Sequence, residues 1–71
     1  MAIAKIIEIE AEGDTVEAAI EAAVAEAGKT VRNIKSVWVK DFQAIVRDGG
    51  VSHYRVDAKV TFLVGEGQEA S

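Results

Sequence analysis

The chain contains no cysteine, and one histidine among its 71 residues. Without cysteine there can be no disulfide and no thiolate zinc site, so two devices that stabilise very short chains are missing. The lone imidazole, His53, has no second ligand at a matching spacing and so makes no metal motif. Catalytic signatures are missing too. No serine or threonine has a neighbouring base at the spacing that nucleophile motifs require. The "GEG" near the C-terminus lacks the preceding strand and following helix of a phosphate loop. These absences argue against an enzyme.

Positive charge is scarce as well. Eight lysines and arginines stand against twelve acids, for a net charge of -4. The basic residues are scattered rather than gathered into a stripe, which argues against a nucleic-acid partner. There is no long hydrophobic run either: the opening "MAIAKIIEIE" is interrupted by Lys5, Glu8 and Glu10, too soon for a membrane span or a signal peptide. A soluble, cytoplasmic protein without a membrane partner is the expectation. Internal repeats are also lacking.

What remains is 49% hydrophobic and 28% charged, the balance of an ordered globular protein. A chain of this length forms one domain, expected over residues 1–65, with 66–71 as a flexible tail. Such a domain buries only roughly 60% of the surface exposed by its unfolded chain. With disulfides and thiolate metal sites excluded, self-association is the remaining source of stability.

Residues 2–11 alternate imperfectly and are rich in β-branched types, which predicts a strand. In "DTVE", Asp14 is placed to cap a helix while Glu17 reaches back to it. Val16, Ala19, Ile20, Ala23, Val24 and Ala27 then recur at helical spacing, with Glu17, Glu21 and Glu26 on the wet side and Gly28 as the stop. Two long strands follow, Ile34 to about Arg47 and about Gly50 to Val64, joined by an Asp48-Gly49 turn. The order is β-α-β-β.

A two-residue turn sets Trp38 opposite Lys59, Lys40 opposite Asp57 and Phe42 opposite Arg55, all favourable pairs. The alternative register with a three-residue loop opposes Asp41 to Asp57. In the preferred register one face carries Val37, Val39, Ile45, Tyr54, Val56, Ala58, Val60, Phe62 and Val64, enough to take the helix. The reverse face mixes Trp38, Phe42, Ala44, Val46, Val51 and Leu63 with charged residues. That mixture suits subunit contact, with room for a trapped ligand.

The β-α-β-β order, the opening "KIIEIEAEG", the helix segment "AAIEAAVAEAGKTVRNI" and the closing "HYRVDAKVTFLV" together resemble the dodecins over about residues 4 to 64. The resemblance implies an α+β fold, a three-stranded antiparallel sheet wrapped around one helix, and assembly into a hollow homo-dodecamer. It implies a noncatalytic small-molecule binding and storage protein with riboflavin or FMN stacked between tryptophans. Calcium and coenzyme A are the alternative ligands known in the family, and a structural or cation-stabilised cage is the alternative role. The family's stacking tryptophan is matched here by Ser36 and its clasping glutamine by Arg55. Both ligand-defining residues would then be replaced, which implies weak or absent flavin binding. Trp38 lies two residues further on, on the same face as Ser36, and could substitute as the ring. Ser36, Trp38 and Arg55 are therefore the candidate ligand-binding residues.

Overall fold

A computed structural model describes residues 2–65; the tail expected over 66–71 lies outside the described residues. The elements are β1 (Ala2–Gly13), α1 (Val16–Ala27), β2 (Ile34–Arg47) and β3 (Gly50–Gly65). They form the expected α+β fold, with an antiparallel sheet of order β1-β3-β2 and the helix packed on one side.

The helix is capped by Thr15 rather than by Asp14: the Thr15 Oγ1 accepts from the Ala18 amide at 3.0 Å. Threonine and aspartate are both favoured cap residues, which is why adjacent candidates are hard to separate by sequence. At the other end the Gly28 amide donates to the Val24 carbonyl at 2.9 Å, and Gly28 keeps a right-handed conformation. Ala19, Ala23 and Ala27 are buried, against Val56, Ala58, Val60 and Phe62 of β3 in a single core. Small side chains on the helix and branched ones on the strand let the two backbones approach closely.

Gly13, where β1 turns into the helix, is part of that approach. A Cβ added there would lie 2.6 Å from the Ala19 nitrogen and 2.8 Å from the Ala18 carbonyl carbon. Both are backbone atoms, so the helix itself would have to move. Gly13→Ala is expected to destabilise the fold by about 1–3 kcal/mol, the usual cost of overpacking. Thermal unfolding at fixed protomer concentration checks this; an unchanged midpoint would contradict the close packing.

The hairpin turn is as expected. Asp48 (φ 53) and Gly49 (φ 80) are both left-handed, as a type I′ turn requires. The register holds beside the turn, with Arg47 opposite Gly50, and again where Trp38 faces Lys59. Between these points it differs. A bulge at Lys40 shifts the pairing so that Asp41 faces Asp57, Phe42 faces Val56 and Gln43 faces Arg55, and a second irregularity at Ser52 restores the count. One inserted residue moves every following side chain to the other face. Phe42, Ala44 and Val46 therefore lie on the helix side of the sheet, and Ile45 lies on the outer side. The rejected like-charge pairing is tolerated because Lys40, on the bulge, still reaches Asp57 at 3.8 Å.

Strands of 14 and 16 residues make a hairpin far longer than the 12-residue helix. At ~3.3 Å per strand residue and ~1.5 Å per helical residue, the helix covers less than half of it. The molecule measures 51 × 17 × 14 Å. Beyond the helix, Phe42 (61% exposed), Val46 and Val51 stand open on the helix side.

Candidate ligand-binding face

The outer face is built from the residues of each strand that alternate away from the core. On β3 these are His53, Arg55, Asp57, Lys59, Thr61 and Leu63; β1 contributes Ala4, Ile6, Glu8, Glu10 and Glu12 beside them. From β2 come Ser36 and Trp38 and, past the bulge, Asp41, Gln43 and Ile45. The face falls into three zones along its length.

The first zone is aromatic. Trp38 is 63% exposed, and the Lys59 ammonium sits over its ring, 5.4 Å from the centroid. This is the cross-strand pair that the register predicts, in a cation–π arrangement. Ser36 and Thr61 form the next pair on the same face, and exposed Ile6 lies opposite Thr61 from β1.

The second zone is acidic. Glu10, Asp57 and Asp41 form one row across all three strands. Like charges placed opposite each other are unfavourable, and two features offset the cost. Lys40 bonds Glu8 Oε2 at 3.2 Å and approaches Asp57 at 3.8 Å. The Glu8 and Asp57 carboxyls also hydrogen-bond each other, which lowers Glu8 and raises Asp57 from their ordinary values. The opposite directions make Glu8 the more acidic partner of the two. The Asp57 Oδ1 atom is shielded from solvent and lacks a hydrogen-bond partner among the described residues.

The third zone is a clamp on Glu12. One carboxylate oxygen accepts from Arg55 Nε at 2.9 Å and Nη2 at 2.7 Å, and the other lies 3.1 Å from His53 Nε2. Ser52 Oγ lies 2.9 Å from His53 Nδ1. The sequence shows no serine with a base at the spacing of a nucleophile motif, and neighbouring strand residues such as Ser52 and His53 normally point apart. The irregularity at Ser52 brings them together. A shallow, open depression adjoins this zone, lined by Glu12, Gly13, Asp14, Ser52 and His53.

Hydrogen bonding from Arg55 is the main cause holding Glu12 below the usual carboxylate range. A depressed folded-state pKa gives stability that is present above the unfolded value and lost as pH falls through the folded one. The stability gap between the wild type and Glu12→Gln is therefore expected to be open at pH 7 and to close as pH falls below about 4.5. Melting temperatures across pH 3–7 test this; a gap independent of pH would contradict the role of the charge.

Of the three sequence-predicted site residues, Ser36 and Trp38 come together. Arg55 shares their face but not their zone: it is four residues from Lys59 along β3, about 13 Å, and is engaged by Glu12. Phe42, expected beside Trp38, lies on the opposite face.

A one-helix α+β protein with an exposed ring and paired charges on its outer sheet face has the form of a small binding protein. The dodecin family model matches residues 3–65, and the chain belongs to the dodecin family, whose members are noncatalytic. Two solved structures show the same fold. The tt0972 protein from Thermus thermophilus is 33% identical with a TM-score of 0.85, covering 93% of this chain and 98% of that one. The W38F mutant of T. thermophilus dodecin is 33% identical with a TM-score of 0.84, covering 93% and 100%. Curated proteins yield no match.

This comparison corrects the expectation that the family's stacking tryptophan is missing, with Ser36 in its place. The relative's mutant replaces a tryptophan, and this chain carries one at Trp38. Counting along the chain from the helix end was an unsafe guide here. The link contains Asn33 in a left-handed conformation (φ 62), and β2 has a register irregularity at Lys35.

Proposed function

We propose that this chain is a noncatalytic binding and storage protein that assembles as a homo-dodecamer and holds a planar aromatic ligand of the flavin class against Trp38. The observation that carries this reading is the Trp38 ring, 63% exposed on the outer face of a rigid sheet. A large ring left open in a small domain costs hydration free energy unless something stacks on it. Riboflavin and FMN offer the matching flat surface. Ser36, two residues along the same face, presents its hydroxyl to the ligand's polar edge. Arg55, pinned by Glu12, offers its remaining donors further along the face.

Assembly is supported by the helix-side surface that the helix leaves bare. Phe42, Val46 and Val51 lie together beyond the end of α1, and a second copy of the chain is the occupant we propose. A domain with so few buried side chains gains from having this surface covered.

The deciding experiment is fluorescence titration with riboflavin. Saturable quenching with a fixed number of ligands per protomer is expected; no quenching at micromolar protein would contradict the reading. A cation-stabilised cage is the second reading, favoured by the carboxylate row of Glu10, Asp57 and Asp41. No cluster of three or more carboxylate or imidazole groups suited to a metal is found among the described residues, so such a site would have to form between copies. That reading expects chelation, rather than flavin removal, to lower the melting temperature.

A further inference from the structure

The ammonium of Lys59 is unusual on this face because every other charge beside it is already engaged. Glu8, its partner across β1, gives its close contact to Lys40 at 3.2 Å and hydrogen-bonds Asp57. Asp57 in turn has Lys40 at 3.8 Å. Lys59 makes no ion pair within 4 Å among the described residues; its one close interaction is with the Trp38 ring, at 5.4 Å. The ring is nonetheless 63% exposed, so the ammonium leaves much of the indole open. Glu8 feels its charge only at longer range, so Lys59 brings a positive charge without a close ion pair to the aromatic surface that a ligand would use.

We propose that Lys59 is a specificity-determining residue of the Trp38 site, selecting planar ligands that carry a phosphate or carboxylate over neutral ligands with the same ring system. The inference rests on the proposed stacking at Trp38. A neutral ring gains stacking alone, whereas an anionic ligand also gains a charge interaction with an ammonium that has no close ion pair to abandon. The β3 backbone fixes where Lys59 starts, and the indole limits where its head can go. A charge at a partly exposed site is screened by salt, so the preference has a recognisable signature.

Riboflavin and FMN share one ring system and differ by a phosphate, which makes them suitable probes. Titrating the wild-type protein with each at low salt is expected to show FMN binding about tenfold tighter, with the ratio falling toward one as salt is raised to 1 M. Lys59→Gln is expected to remove the preference while riboflavin still binds, and Lys59→Arg to keep it. A ratio unchanged in Lys59→Gln, with both ligands bound, would overturn the role of Lys59 and leave the stacking site standing. Failure of the wild type to bind either flavin would overturn both. The mass of the Lys59→Gln assembly, expected to equal that of the wild type, separates lost selectivity from lost assembly.

Discussion

Replacing Trp38 with alanine is expected to abolish measurable flavin quenching while leaving the fold intact. The ring contributes little to the core, since it is exposed on the sheet face opposite the helix. Its removal leaves Ser36 and Arg55 without a flat surface to hold a ligand against. Stacking of a planar base on an aromatic side chain contributes roughly 1–3 kcal/mol, and a ligand sandwiched between two copies would lose that amount twice. Affinity should therefore fall by about 5- to 150-fold for one ring, and by about the square of that factor in the sandwiched case. Trp38→Phe, which keeps a smaller ring, should fall between the two. Full affinity in Trp38→Ala would remove the indole from the site.

The second large effect is expected at Phe42, on the other face. Phe42→Glu puts a charge into the apolar surface that we propose a second copy covers. Burying an unpaired carboxylate there is costly, and the lost aromatic contact adds roughly 2 kcal/mol or more if the ring anchors the contact. Assembly should fail at micromolar concentration. Because so much stability would belong to the assembly, the melting temperature should also drop and lose the dependence on protomer concentration that is expected of the assembled wild type. Phe42→Leu should retain the assembly. Unchanged mass in Phe42→Glu would show that this surface faces solvent.

These two residues also mark how far the sequence could be read. Element order, the turn at Asp48 and Gly49 and the alanine stripe of the helix were legible because each rests on local chemistry: a left-handed pair, a repeat of three and four, alternation along a strand. The Trp38–Lys59 pair was legible for the same reason. The faces of Phe42 and Ile45 were not. They depend on the bulge at Lys40, which relieves no clash visible in the sequence and places Asp41 against Asp57 against the charge argument. That argument undervalued the long side chain of Lys40, which reaches from the bulge to both Glu8 and Asp57.

The candidate site was legible in part. The position of the ring and of Ser36 on one face follows from alternation alone. The clamp of Arg55 and His53 on Glu12 was not foreseen, because it spans β1 and β3 and needs the strand order β1-β3-β2. Hairpin-based reasoning paired β2 with β3, and the three-stranded sheet implied by the resemblance gave β1 neither a position in the strand order nor a register. The status of the tryptophan was misjudged by counting residues across an irregular link, where neither helical nor strand spacing applies.

The central claim is that this elongated protomer completes itself with copies of its own chain. Light scattering coupled to size-exclusion chromatography, on the full chain at micromolar concentration, tests it most directly. The account predicts a single species of about 91 kDa, twelve times the 7.6 kDa protomer. A stable species at the protomer mass of 7.6 kDa would contradict it.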